Sequence, residues 1–291
     1  MTPESWLIAL DIDGTLLEFG EPISQPVLDT VRAAVEAGHH IVLASGRSLI
    51  SMEPVFNSLG ITATYMVCSN GAITVRSVVC VEVGNPSDRS QRKLPTSAMW
   101  EVAEAITFDP EPALRRLAEH LPGAIFAVED VGTGFRMTDL FPPGELDGVH
   151  RVVPLEDLWR QEVVRVVVRA VGLPESDFHQ AIAELGLADV TYAIGWSSWM
   201  DVSPLGVTKA SALEKVRQRL GIPSERTMAI GDGSNDVDML RWAARGVAMG
   251  NAPAEVKVAA SEVTATQAND GVAQTLLTLP RIREIVNLGA K

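Results

Sequence analysis

Five polar residues stand in two short strings far apart in the chain. Asp11 and Asp13 belong to DIDGT (11–15), and Asp232, Asn235 and Asp236 to GDGSND (231–236). Carboxylates held close together repel one another, a cost that a bound cation offsets. An all-oxygen donor set suits Mg²⁺, which takes one or two carboxylates and leaves room for waters and phosphate oxygens. Asp11 and Asp13 are two residues apart on a loop, so they can divide the work of group transfer. One carboxylate attacks while the other exchanges a proton with the leaving group.

These groups act together only if their loops meet, so the elements that carry them matter. The apolar run 6–10 ends at Asp11 and reads as a buried strand entering a loop. Residues 24–37 place Val27, Leu28, Val31, Ala34 and Val35 at helical spacing, between Ser24 as N-cap and Gly38 as C-cap. A second strand, 41–44, ends at Ser45-Gly46-Arg47. A helix follows over 48–59, then a third strand, 65–68, ending at Ser69-Asn70-Gly71. Strand, helix, strand, helix, strand predicts an α/β fold: a parallel sheet with helices on both faces. Ligands of such sheets sit at the carboxyl ends of the strands, so the three polar tips should converge at one edge.

Residues 72–83 alternate apolar and polar and suggest a hairpin. The polar stretch 84–97 (GNPSDRSQRKLPTS) reads as a linker or domain crossing. Residues 98–189 mix helices (110–121, 175–186) with strand-like runs (124–129, 133–138, 163–171), a small α+β unit. Alternation then resumes: helix 209–220, strand 227–230 ending at Gly231-Asp232-Gly233, helix 237–244, strand 246–249, helix 254–260, strand 262–264 and a final helix 271–277. One α/β domain interrupted by a second module is the simplest architecture.

Composition narrows the partners. The chain has 291 residues, 46% of them hydrophobic, and a formal net charge of −13 from 24 basic and 37 acidic side chains. That balance opposes nucleic-acid binding by counterion release and attraction to anionic membranes. Cys68 and Cys80, each in an apolar run, read as small buried side chains rather than a disulfide framework or zinc site. The start lacks a basic segment, the run 6–10 is too short for a signal peptide, and Arg165 and Arg169 interrupt the run 163–171. The expectation is a soluble, cytoplasmic protein, a monomer or small homo-oligomer, without nucleic-acid or membrane partners.

Taken together, the strings resemble the haloacid dehalogenase superfamily, and specifically its Cof-type subgroup with a type 2 (C2B-like) cap. The first motif, D-x-D-x-T/V, is matched by Asp11 and Asp13. The second, a Ser or Thr after the next strand, is matched by Ser45 in ASGR. The third, a Lys near a helix start, is matched by Lys209 in GVTKASAL, and the fourth, an acidic pair, by Asp232 and Asp236. VAMGNA (247–252) and NDGV (269–272) also fit the subgroup. The resemblance covers 1–84 and 190–291, implying a Rossmann-like core with an inserted α+β cap domain at 85–189.

It further implies a chemistry. Asp11 would attack a phosphomonoester and become an aspartyl phosphate, with Asp13 as general acid and then general base. Mg²⁺ would be held by Asp11, Asp232 and the backbone of Asp13, with Asp236 and Asn235 orienting those ligands. Ser45, Gly46 and Asn235 would bind phosphoryl oxygens, and Lys209 would offset their charge. The substrate class implied is a small phosphorylated metabolite such as a sugar phosphate.

Other residues are open to two readings. Arg47 and Asn70 could touch substrate, or be a surface ion pair and a plain loop residue. Glu129, Asp130 and Arg136, around a hairpin in VEDVGTGFRM (128–137), could face the site or water. Trp196, Trp199 and Met200 read as packing where the insert rejoins the core. His39, His40, His150 and His179 lack ligand spacing. A phosphomutase or a catalytically silent phospholigand-binding protein are the competing functions. A dehalogenase would leave Asp13 without a task, and an ion pump would need membrane spans.

Overall fold

The computed structural model describes residues 5–18, 20–62, 65–78, 100–195 and 197–289. The amino-terminal alternation is present: β1 (Leu7–Leu10), α1 (Gln25–Glu36), β2 (His40–Ala44), α2 (Leu49–Leu59), β3 (Tyr65–Cys68) and β4 (Ile73–Ser77). Next come β5 (Trp100–Ala105), α3 (Glu111–His120), β6 (Ile125–Asp130), β7 (Gly134–Met137), β8 (Val149–Val152), β9 (Val166–Arg169), α4 (Glu175–Leu185), β10 (Val190–Ile194) and β11 (Trp199–Pro204). The carboxyl-terminal part holds α5 (Lys209–Leu220), β12 (Thr227–Gly231), α6 (Val237–Trp242), β13 (Arg245–Ala248), α7 (Ala254–Ala259), β14 (Glu262–Val263), α8 (Gly271–Leu276) and α9 (Pro280–Gly289).

Among the described residues the strands form two sheets. The first has eight strands in the order β14-β13-β12-β1-β2-β3-β4-β5. It is parallel from β14 to β3, and β4 and β5 complete it antiparallel. The second has six strands in the order β10-β11-β9-β6-β7-β8, antiparallel except for the β7–β8 pair.

The nearly uninterrupted apolar strands of the first sheet follow from burial on both faces. Along β1, Ile8 and Leu10 pack with Val27, Val31 and Leu276 of α1 and α8, whereas Leu7 and Ala9 pack with Leu213, Val216 and Met239 of α5 and α6. Cys68 lies buried in the first of these layers, where burial pushes its thiol well up from the ordinary range. Cys80 lies outside the described residues. In the second sheet, Phe126, Val128, Val166, Val168, Met200 and Val202 pack beneath α3 and α4.

Four expectations need correction. The segment 190–204 was expected in the core, but β10 and β11 pair with each other and with β9, so the chain rejoins the first sheet only after β11. β5 was expected in the insert, yet it pairs with β4 at the edge of the first sheet. Residues 73–77 do form a strand, but its partners are β3 and β5; residues 79–83 of the expected hairpin, and the linker 84–97, fall outside the described residues. Finally, α8 is not the last helix. α9 starts at Pro280, a residue that suits a first helical turn, and buries Ile282.

Candidate active site

Asp11 follows β1, and its N–H donates to Ile230 O of the neighbouring β12 at 3.0 Å, which ties the two loops together at the strand ends. Gly14 turns the first loop with φ +75°. A Cβ there would lie 2.2 Å from Asp232 Oδ2, so glycine permits the approach. Thr15 Oγ1 then donates to Asp232 Oδ1 at 2.7 Å. Asn251 closes the same loop from a third side: its Nδ2 donates to Gly14 O at 2.8 Å and lies 3.5 Å from Asp232 Oδ2.

Lys209 opens α5. Thr208 caps that helix by accepting from Ser211 N, and Ser211 Oγ accepts from Thr208 N in return. The fixed helix start aims a fully buried Lys209 Nζ at Asp11 Oδ1, 2.7 Å away, and Asp236 Oδ1, 2.6 Å away. Asp236 Oδ2 accepts from the N–H groups of Asp232 (2.9 Å) and Gly233 (2.8 Å). Both oxygens of Asp236 are therefore engaged in shaping the loop.

Asp11, Asp232 and Asp236 each place a carboxylate oxygen within 4.8 Å of the others. Burial, then the charges of Asp236 and Asp232, push the Asp11 carboxyl well above its ordinary range against the pull of Lys209. Burial, with Asp236 adding to it, moves Asp232 to about 6 despite the Thr15 bond. Burial alone would favour neutral Lys209, but Asp11 and Asp236 outweigh it and hold the ammonium form. One lysine faces three carboxylates, so a divalent cation fits both the charge deficit and the oxygen-only donor set. Asp11 and Asp232 are the candidate ligands, since they line the cavity, whereas Asp236 is buried and already bonded.

Ser45, at the end of β2, is buried, and its Oγ accepts from Arg47 N at 3.2 Å. Arg47 grips Asp13 with two bonds, Nε to Oδ2 at 2.8 Å and the terminal nitrogen to Oδ1 at 2.6 Å. The Ser69-Asn70-Gly71 loop after β3 has three successive positive φ values, 50°, 54° and 102°. A Cβ on Gly71 would lie 2.2 Å from Thr208 O, so this glycine lets the loop seat against the start of α5. Asn70 Oδ1 accepts from Asn235 Nδ2 at 2.9 Å. Asp11, Asp13, Ser45, Gly46, Arg47, Asn70, Lys209, Asp232 and Asn235 thus line one cavity of about 900 Å³, with Asp236 behind them.

The second sheet supplies the opposite wall, including residues that sequence reasoning passed over. Arg165, which had been seen only as a break in an apolar run, is buried and pairs with Glu129 at 3.0 Å and Asp201 at 3.4 Å. Glu129 is not a solvated hairpin residue: it is buried and accepts from Ser69 Oγ at 2.7 Å. Asp130 and Arg136 pair with each other at 3.0 Å, away from the cavity lining. Trp199 lines the cavity and meets Phe141 edge to face, while Met200 points into the opposite layer; Trp196 lies outside the described residues. His179 also lines the cavity, whereas His39 is buried and accepts from Trp6 N at 3.3 Å. Thr15 and Asn251 could have been flagged by their places in DIDGT and VAMGNA; Arg165 and Asp201 carry no local motif.

Among the described residues no helix is long and apolar enough to cross a membrane. Comparison with known proteins agrees with the geometry. The family profile described as haloacid dehalogenase-like hydrolase matches residues 8–84 and 149–276. The chain is similar to the 5-amino-6-(5-phospho-D-ribitylamino)uracil phosphatase YitU of Bacillus subtilis, with 29% identity over 280 residues, covering 95% of this chain and 98% of the relative. It is also similar to the pyridoxal phosphate phosphatase YbhA of Escherichia coli, 25% identical over 288 residues, covering 92% and 96%. Among solved structures, a haloacid dehalogenase-like hydrolase from B. subtilis superposes with a TM-score of 0.75 at 22% identity, covering 94% of this chain and 99% of that one.

Proposed function

The chain belongs to the haloacid dehalogenase-like hydrolase family, as a phosphoric monoester hydrolase, and from that premise we propose that it cleaves a small phosphorylated metabolite in two Mg²⁺-dependent steps. The observation that carries this reading is Lys209, bonded to both Asp11 and Asp236 beside Asp232 at the edge of a large cavity.

In the first step a carboxylate oxygen of Asp11 attacks phosphorus and the bond to the leaving oxygen breaks. Asp13 protonates that oxygen, so an alcohol departs and an aspartyl phosphate remains. In the second step Asp13 takes a proton from water, the water oxygen attacks phosphorus, and the acyl–phosphate bond breaks. Inorganic phosphate leaves and Asp11 is restored. Ser45, Gly46 and Asn235 hold the phosphoryl oxygens, and Lys209 balances charge beside the nucleophile. Asp11, Asp232 and the backbone carbonyl of Asp13 would hold the Mg²⁺, whose charge, when bound, offsets that of the phosphoryl group.

Arg47 governs when Asp13 is free. Here it grips the Asp13 carboxyl group with two bonds that engage both of its oxygens. A phosphate dianion entering beside Arg47 competes for the guanidinium and releases Asp13. The second sheet acts as the cap that shields the site from bulk solvent while leaving room for the hydrolytic water. The cap so defined runs past position 190 to the end of β11.

The relatives' names cover a ribityl-bearing uracil and pyridoxal phosphate, and both substrates are small phosphomonoesters with different leaving groups. Release of inorganic phosphate from p-nitrophenyl phosphate and a panel of metabolite phosphomonoesters tests the reading. Turnover with Mg²⁺, lost in EDTA and regained on adding Mg²⁺ back, is expected. A folded protein that releases phosphate from no member of the panel would overturn it.

A further inference from the structure

The cavity wall facing Asp11 is built by alternation along β11. Met200 and Val202 are fully buried in the apolar layer below, while Trp199, Asp201 and Ser203 line the cavity. Arg165, just before β9, lines it beside them. The side chains of Arg165 and Asp201 are only 3% and 13% exposed. Both reach the phosphate end: Arg165 donates to the carbonyl of Gly46, and Asn70 Nδ2 lies 3.4 Å from Asp201 Oδ2.

The polar contacts of this wall are incomplete. Arg165 Nε lies 3.0 Å from Glu129 Oε2 but off the line of a hydrogen bond, and both this Nε and Glu129 Oε1 are buried without a hydrogen-bond partner among the described residues. Asp201 takes a bond from the Trp199 side chain and sits at 3.4 Å, a long distance, from both Arg165 and Asn70. Buried charged groups with unfilled bonding capacity are costly until something supplies the missing partners. The pairing also leaves an excess of negative charge, since one guanidinium faces the carboxylates of Glu129 and Asp201.

We propose that Asp201, with Arg165 and Asn70, recognises the leaving group and selects phosphomonoesters of neutral, polyhydroxylated groups over those that carry a carboxylate. A carboxylate oxygen accepts O–H bonds, while the guanidinium and the amide donate to hydroxyl oxygens. A leaving group with its own carboxylate meets the surplus negative charge instead. The inference rests on the phosphatase reading and names which residues set its selectivity.

The test compares kcat/KM for D-ribitol 5-phosphate, n-pentyl phosphate and 2-phosphoglycolate, with Mg²⁺, in the wild type and in Asp201→Asn and Asp201→Ala. The wild type should prefer the ribitol ester to the pentyl ester by about ten- to a hundredfold, the value of a hydrogen bond to a charged group. Phosphoglycolate should rank below the ribitol ester. Asp201→Ala should shrink the ribitol-to-pentyl ratio about tenfold or more, mainly through KM, and the nearly isosteric Asp201→Asn should raise phosphoglycolate relative to the ribitol ester. A purely structural role would lower all three rates together and leave the ratios unmoved. A wild type that turns over all three esters with equal kcat/KM would overturn the inference without any variant, as would unchanged ratios in the folded variants. Absence of turnover of these esters and of p-nitrophenyl phosphate by the wild type would instead defeat the phosphatase reading, and this inference with it.

Discussion

Lys209 Nζ lies 2.6 Å from Asp236 Oδ1 with both side chains fully buried, and 2.7 Å from Asp11 Oδ1, so Asp236 shares this ammonium with the proposed nucleophile. Removing one partner of a buried pair costs about 3–5 kcal/mol, because the other is left uncompensated. Lys209→Met should therefore destabilise the protein by roughly that amount and abolish turnover. Urea unfolding and phosphate release check the two effects. A variant of wild-type stability would mean that Asp11 and Asp236 do not depend on this ammonium.

Arg47 and Asp13 form a different kind of pair. Their side chains are 22% and 45% exposed, so the contact contributes under about 1 kcal/mol to stability. In the proposed mechanism its value lies in holding Asp13 and in meeting phosphate. Arg47→Ala should leave the melting temperature nearly unchanged and lower kcat/KM by about ten- to a hundredfold. Arg47→Lys should recover only part of this loss, since a single ammonium cannot reproduce two parallel bonds.

Gly71 offers a steric test of how the site is assembled. Its φ is +102°, and a Cβ would lie 2.2 Å from Thr208 O, directly before Lys209. Gly71→Ala should cost about 1–3 kcal/mol and displace the start of α5. Activity should fall even though residue 71 contributes no reacting group. Thermal unfolding and kcat measured on one preparation would show both losses.

How much of this was legible in the sequence depended on periodicity. α1 carried helical spacing between Ser24 and Gly38 as caps, α2 and α5 filled the places between strands, and β1, β2, β3 and β12 were short apolar runs ending in glycine-containing tips. These elements bring Asp11, Ser45, Asn70 and Asp232 to one edge. β8 was illegible because its residues, VHRV, are exposed throughout at a sheet edge and leave no apolar signal. β5, WEVAEA, alternates weakly for the same reason. β11 was misread because Trp199 and Met200, adjacent in sequence, face opposite sides of its sheet. Arg165, Glu129 and Asp201 come together only through strand pairing, which no local pattern encodes.

The pH dependence of one helix contact can be predicted with its sign. Glu214 on α5 accepts from Arg217 at 2.6 and 2.8 Å and from Trp242 Nε1 of α6 at 3.0 Å. The Arg217 bond, supported by Trp242 and Gln218, lowers its carboxyl from 4.5 to about 2. A depressed acid stabilises the fold above its unfolded value and loses that effect as pH falls through its folded value. The contribution is therefore complete above about pH 4.5 and fades towards pH 2. Glu214 is solvent-screened, so Glu214→Gln should cost under about 1 kcal/mol at neutral pH. The gap in urea midpoint between the two proteins should narrow below pH 4.5; a gap that widened on acidification would contradict the assigned pairing.

The central claim is that Asp11 forms the bond to phosphorus. Its most direct test is kcat for phosphate release by Asp11→Asn against the wild type, under saturating Mg²⁺ and with circular dichroism confirming the fold. The amide is nearly isosteric and a poor nucleophile, so the account predicts a loss of at least about a thousandfold with the fold intact. Turnover by folded Asp11→Asn at the wild-type rate would contradict it.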